Sequence, residues 1–328
     1  MVGVGKFGRN HLRVLKELER KGLCILYCAI DINTRILDEI HKDYKLKTST
    51  SLDQFLDDVD AVDIVTPSST HYNICKKCLK AGKHVFVEKP LTMSYTEAKE
   101  LVQLAKGKNK ILMVGHIFRY NRAVQKIKEL IKRGELGKVY YMFGHFMGLK
   151  NPRNDTGALY NYAVHHIDIY NYLLDKIPEE ILCCTGHFLG RGNFEDMFVL
   201  TLRYPSNILG IIEGSWLSPR KFRDLTVVGS RRSVVSDLLK QTIEVYESYI
   251  EKREGRLNAV DRGKREIKID LEEPLKLELL DFIESIKTMR EPLASGKSAL
   301  KAILVIEKAL ESAKLRRSVR IIENKAVD

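Results

Sequence analysis

The stretch His84-Val85-Phe86-Val87-Glu88-Lys89-Pro90-Leu91 is a short apolar run, partly β-branched, that ends in an acid, a base and a proline. It reads as a buried strand delivering ionisable groups at its carboxyl end, the edge at which open parallel α/β sheets bind ligands. A solvated turn is the competing reading of Glu88-Lys89 taken alone. A second set is Asn161, His165 and Asp168, which share one face of a helix expected from Gly157 to Leu174 by their i, i+4 and i+3 spacing. An imidazole can act as a general base and an ammonium can stabilise a developing oxyanion, provided that both reach one oxygen. A satisfied core histidine is the alternative for His165. A metal at His165, His166 and Asp168 is not expected, because adjacent histidines point to different sides of a helix.

These groups need a scaffold. Gly3-Val4-Gly5-Lys6-Phe7-Gly8 fits G-x-G-x-x-G and leads into an amphipathic segment, Asn10 to Arg20, that stops at Gly22. The apolar strand Cys24 to Ile30 follows and ends in Asp31, roughly twenty residues beyond Gly8 as a dinucleotide fingerprint requires. The glycines permit a tight turn and close approach of a pyrophosphate, and the helix amino terminus stabilises its charge. Asp31 would accept from the ribose hydroxyls and repel a 2′-phosphate, which favours NAD over NADP. Only Met1 and Val2 precede Gly3, so most of a first strand is expected upstream of Met1.

The alternation continues with a short helix at Ser51 to Leu56, a strand at Ala61 to Val65, a helix from Tyr72 to Ala81 closed by Gly82, a helix opened by the capping box Ser94-Tyr95-Thr96-Glu97, and a strand at Ile111 to Gly115. Strand and helix in turn with short connections predict a doubly wound parallel Rossmann sheet over 1–117. Beyond Phe118, a helix from Val124 to Arg133 is followed by strands at Val139 to Phe146, Ile181 to Phe188, Phe198 to Tyr204, Ile208 to Trp216 and Leu225 to Val228. That predicts an α+β domain over 118–328 with a large, mostly antiparallel sheet, and a carboxyl-terminal helix near 296–314 that returns to the first domain.

At 328 residues and 44% hydrophobic, the chain can bury two domain cores. The net charge of +12 is spread and interleaved with acids, without a basic arm, which argues against nucleic acid and points only weakly to an acidic ligand. Abundant Lys and Glu with four Gln resembles heat-adapted composition. The six cysteines suit neither a disulfide framework nor a zinc site, and Cys75 and Cys78 read as small buried residues ahead of a redox or metal pair. No window has the apolar length of a membrane span and no leader pattern opens the chain, so the expected location is cytoplasmic.

Taken together, Gly3 to Gly8, the Thr66-Pro67 to His71 turn, Glu88-Lys89-Pro90, Gly115-His116-x-x-Arg119 and His165-x-x-Asp168 resemble the glucose-fructose oxidoreductase and inositol 2-dehydrogenase family of NAD(P)-dependent sugar oxidoreductases, over nearly the whole chain. The resemblance implies that Lys89 lies between nicotinamide and substrate, that His165 is the acid/base, and that the bond before Pro90 is cis. It implies a cofactor site of Gly3, Gly5, Lys6, Phe7, Gly8, Asp31, Thr66, Pro67, His71, Glu88 and Lys89, and a substrate site of Arg119, Lys150, Arg153, Asn161, His165 and Trp216. The family often has Asp where Asn161 stands, and an amide orients an imidazole without adding charge. Arg122 replaces a frequent proline.

The segment Ile212 to Arg223 looks most like the branch that oxidises UDP-N-acetylglucosamine at its 3-hydroxyl, and its cations, with Lys150 and Arg153, would suit a diphosphate or form a solvated rim. The expected function is therefore an NAD-dependent dehydrogenase of a sugar or nucleotide sugar. The alternatives are a free polyol as substrate, or a nucleotide-sensing protein without turnover, which Asn161 keeps open. Successive apolar positions from Phe198 to Leu202 predict a sheet covered on both faces, hence a homodimer or homotetramer.

Overall fold

The strand that ends at Glu88 lies inside a parallel sheet. In the computed structural model, which describes residues 1–321, this sheet belongs to a unit formed by Met1–Ile117 and Glu273–Ile303. Its strands are β1 (Cys28–Ile30), β2 (Lys47–Ser49), β3 (Ala61–Ile64), β4 (His84–Val87) and β5 (Leu112–Val114). All pairings, β1 with β2, β3 with β4 and β4 with β5, are parallel. Val2 fills the slot between β1 and β3, bridging Ile30 and Ile64. The ladder is satisfied there on both sides: Val2 N–H donates to Asp63 O (2.7 Å), Val65 N–H to Val2 O (2.7 Å) and Ile30 N–H to Met1 O (2.9 Å). Every residue of β4 is buried, as expected of a strand with helices over both faces.

Four helices alternate with these strands: α1 (Gly8–Arg20), α2 (Thr34–Tyr44), α3 (His71–Lys80) and α4 (Tyr95–Gly107). Gly82, at φ +73°, turns the chain after α3 and donates to Leu79 O. Two local expectations are corrected. The segment Ser51 to Leu56 forms only a 3-10 turn, Leu52–Gln54. Ser94 precedes α4 without a side-chain cap, because Thr92 Oγ1 donates to the Ser94 carbonyl and anchors that turn. Cys75 and Cys78 are enclosed in α3, where burial raises both thiols, Cys78 to about 12, so neither is a ready thiolate. The helix Pro274–Thr288 packs on α1 through Lys276 to Glu17, beside an ion pair of Arg13 with Glu273.

The second unit comprises Phe118–Glu272 and residues 304–321. It opens with α5 (Arg122–Lys132), whose N-cap Asn121 accepts from Ala123 and Val124 N–H. Nine strands form one sheet: β6 (Val139–Met147), β7 (Glu180–Gly186), β8 (Met197–Tyr204), β9 (Ile208–Ser215), β10 (Phe222–Gly229), β11 (Ser233–Asp237), β12 (Thr242–Arg253), β13 (Arg256–Ile267) and β14 (Val319–Arg320). Their order is β13-β12-β11-β10-β6-β9-β8-β7-β14, with only β6 and β9 parallel. Phe198, Leu200 and Leu202 are buried under the helical face, whereas Val199 and Thr201 are half-buried on the other. That outer face continues as Tyr141 and Phe143, with stacked rings 6.4 Å apart, beside Ile211 and Leu182. The β12–β13 hairpin, absent from the sequence reading, leaves Ile250 and Leu257 exposed.

The helical layer holds the largest departure from expectation. Gly157 to Leu174 is not one α-helix: Leu159–Ala163 forms a π turn, which passes into α6 (Val164–Leu174). A π turn carries an extra residue, so the i, i+4 template no longer fixes which side chains share a face.

Candidate active site

In the first unit the three glycines of the fingerprint each have a separate reason. Gly3, at φ +87°, lies so close to β3 that a Cβ would meet Val65 O at 2.4 Å, and a Cβ on Gly8 would meet Gly3 O at 2.2 Å. Gly5 has open space where its Cβ would be. The chain is thus pinned on either side of one half-buried position with open space beside it, and Lys6 and Phe7 are exposed beyond it. The first turn of α1 has no side-chain cap and no acidic residue, so nothing anionic competes for its N–H groups. Asp31, at the carboxyl end of β1, is half-buried and accepts from Val4 N–H (2.9 Å) and Asn33 N–H (3.0 Å). These residues fit a dinucleotide: a cradle, a helix end and a carboxylate for the ribose.

The lysine candidate sits half-buried after β4, with a cis bond to Pro90 and its N–H donating to Glu88 Oε2 (3.2 Å). His71 was expected at the cofactor. It is fully enclosed, its Nδ1 2.7 Å from Pro90 O and its Nε2 2.9 Å from Thr66 O, so it ties the Thr66-Pro67 turn to the lysine loop. Glu88 is also buried, its carboxylate over Gly115.

Glu88 has a partner that the sequence reading missed. His11 of α1, with no exposed surface, places Nδ1 3.1 Å from Asp63 Oδ2 and Nε2 3.3 Å from Glu88 Oε1, the latter an ion-pair distance without hydrogen-bond alignment. Burial alone would lower its pKa, but Asp63, by charge and hydrogen bond, and then the nearby Glu88 carboxylate outweigh it and raise it to about 10. The signal was a histidine on the apolar stripe of α1 and an aspartate inside the apolar run of β3. The folded chain therefore holds a proton that the unfolded chain releases near 6.5. The stability so gained is complete below about pH 6.5 and is lost as pH rises through about 10. Urea melts across that window should show the parent losing stability faster than His11→Asn; equal slopes would contradict this.

The second unit carries the imidazole. His165 is nearly buried, stacked on Phe146 at 4.6 Å and 20° and met edge-on by Phe118 at 5.1 Å. Asn161 lies inside the π turn and is also buried. Glu195 holds that turn in place: its Oε1 accepts from Leu159 N–H (2.7 Å) and its carbonyl from Ala158 N–H (3.0 Å). A Cβ on Gly157 would collide with this carboxylate at 2.2 Å. Burial raises the Glu195 pKa, which backbone donors counteract. The neighbouring His166 points elsewhere, with Nε2 2.7 Å from Asp224 O, and burial lowers its pKa to about 4, so it is a neutral structural anchor.

Several residues expected at the substrate have partners within the protein. Arg119 is buried and bidentate to Asp168, with Nε 2.8 Å and a terminal nitrogen 2.7 Å from its two oxygens, so this pair secures α6 from within. Arg153 is likewise bidentate to Asp155, both bonds 2.8 Å. Trp216 has no exposed surface; its indole packs on Tyr162 at 4.6 Å and supports the π turn. Lys150 is exposed, and its N–H donates to Trp216 O (3.2 Å). Among the described residues no group of His, Cys, Asp and Glu is arranged to hold a metal, and no helix is long and apolar enough to cross a membrane.

Comparison with known proteins covers both units. Residues 1–116 match the oxidoreductase family model with an NAD-binding Rossmann fold, and residues 128–321 match that family's C-terminal α/β domain. Myo-inositol 2-dehydrogenase of Thermotoga maritima is 26% identical over 98% of this chain and 98% of its own. UDP-N-acetylglucosamine 3-dehydrogenase of Acidithiobacillus ferrooxidans is 25% identical over 95% of this chain and 96% of its own. A solved structure of UDP-N-acetylglucosamine 3-dehydrogenase from that organism superposes with a TM-score of 0.83 at 22% identity, over 96% of each chain.

Proposed function

This chain belongs to the glucose-fructose oxidoreductase and inositol 2-dehydrogenase (Gfo/Idh/MocA) family, and on that premise we propose that it oxidises a secondary hydroxyl of a sugar, passing the hydride to NAD. Bound NAD supplies the hydride acceptor. The observation that carries the reading is the pair of ionisable groups at motif positions: Lys89 after β4 and His165 beside a π turn. His165 takes the hydroxyl proton, Lys89 stabilises the oxygen as its charge grows, and Asn161 orients the imidazole. The aromatic rings of Phe146 and Phe118 restrict water around that base.

The two curated relatives differ in substrate, a polyol and a nucleotide sugar. The cations at Arg220, Lys221 and Arg223 favour the nucleotide sugar, with UDP-N-acetylglucosamine and its 3-hydroxyl as the first choice. NADH formation should be assayed with that compound, then with free inositols and hexoses. Turnover only in the second group would move the substrate to a free polyol. NAD binding with no turnover in either would favour the sensing alternative that Asn161 leaves open.

Asp31 supports NAD over NADP, because its carboxylate would face a 2′-phosphate. Calorimetric titration should show NAD binding more tightly by about tenfold or more. Tighter NADP binding would overturn this role. The apolar outer face of the second-unit sheet supports self-association, with Tyr141, Phe143, Ile211 and Leu182 covered by a second copy. Light scattering should give at least a dimer mass, and a monomer at micromolar concentration would remove the proposal.

A further inference from the structure

Arg223, at the start of β10, is a cation without a counter-ion among the described residues. It stands in register with Phe146 of β6, and its guanidinium carbon lies 3.5 Å over the Phe146 ring and 5.1 Å from the Tyr162 ring centroid. The ring of Phe146 is the one stacked on His165. Guanidinium, phenyl and imidazole therefore belong to one cluster. One terminal nitrogen of Arg223 donates to the carbonyls of Met147 and Phe222. No carboxylate among the described residues forms an ion pair with it, and burial lowers its pKa.

The contrast with neighbouring arginines is chemical. Arg119, Arg153 and Arg191 each face an aspartate: Asp168, Asp155 and Asp196. The acid adjacent to Arg223 in sequence, Asp224, is held by His145, 2.9 Å away. A half-buried guanidinium with only neutral partners loses part of its solvation, which an anion would restore. Its planar fork, which also meets the Tyr162 hydroxyl, has the geometry to take a planar or tetrahedral oxyanion. Arg220, over the Phe222 ring at 5.0 Å, and Lys221, alongside Gly148, add positive charge at the same end of the sheet.

We propose that Arg223, with Lys221 and Arg220 beside it, binds an oxyanion carried by the substrate, a phosphoryl or carboxylate group, and so selects an anionic sugar over a neutral one. The inference rests on the dehydrogenase reading only in assigning that anion to the molecule His165 acts on. The test is calorimetric titration of the full chain, saturated with NAD to fill the Gly-rich loop, with inorganic pyrophosphate and with glucuronate. The parent should bind at least one, and which one identifies the source of the anion. Arg223→Gln should weaken that binding by about tenfold or more, the loss of a charge-assisted bidentate contact. Arg223→Lys, which keeps the charge and loses the fork, should weaken it by about severalfold and serves if the glutamine variant does not fold. Arg262→Gln, on the exposed hairpin, should leave it unchanged. Parent-like binding by Arg223→Gln and Arg223→Lys, or a parent that binds neither probe, overturns the proposal. Because no turnover is read, failure of the dehydrogenase reading leaves this result intact, and turnover on neutral sugars would survive failure of the anion site.

Discussion

Replacing Lys89 by methionine should cut turnover by about a hundredfold or more, with NAD affinity changed by no more than about twofold to threefold. The side chains are close in length, so the change removes a charge and leaves most of the packing. Lys89 lies at the carboxyl end of a fully buried strand, and His71 ties its loop to the Thr66 turn through the Pro90 and Thr66 carbonyls. A cation held by such a frame needs little reorganisation as the alkoxide forms, which is why its removal should appear in kcat more than in KM. Steady-state rates and calorimetric NAD titration on one preparation separate the two. A Lys89→Met protein that keeps the parent kcat would assign the charge stabilisation elsewhere.

His165→Ala should cost about a hundredfold or more in turnover by removing the proton acceptor, again with NAD bound as in the parent. Asn161→Asp refines this. A carboxylate one turn before His165 favours the protonated ring, so the neutral base is reached only at higher pH. The acid limb of the pH-rate profile should therefore move upward in Asn161→Asp and be absent in His165→Ala. A limb that stays in place would show that His165 is not the titrating base, whatever the alanine variant does.

The nucleotide half of the site was legible because glycine has few reasons to recur at fixed spacing. Gly3, Gly5 and Gly8 with Asp31 specify a turn, an approach and an acid that no apolar periodicity imitates. Glu88-Lys89 could be placed for a related reason: a buried strand that ends in charge must end at a sheet edge. The π turn at Leu159–Ala163 could not be read, since one extra residue in a helical turn leaves composition and periodicity nearly unchanged. The contacts of Arg119 with Asp168 and of Trp216 with Tyr162 could not be read, because residue type alone does not distinguish a cation or an indole facing a ligand from one facing a protein partner. Helix α2 was passed over because only Leu37 and Ile40 are buried in it, too sparse a stripe to stand out. Strand β13 escaped because its nearly continuous exposure gives no alternation.

The central claim is that this chain moves a hydride from a carbinol carbon to NAD with His165 taking the proton. Its most direct test is a single turnover of UDP-N-acetylglucosamine carrying deuterium at carbon 3, or of an equally labelled polyol if that is the better substrate, with the NADH analysed by mass. The account predicts that the label appears in the NADH of the parent, with a primary isotope effect on the chemical step, and that His165→Ala yields about a hundredfold less labelled NADH in the same time. Unlabelled NADH from the parent, or full labelling by His165→Ala at the parent rate, would contradict it.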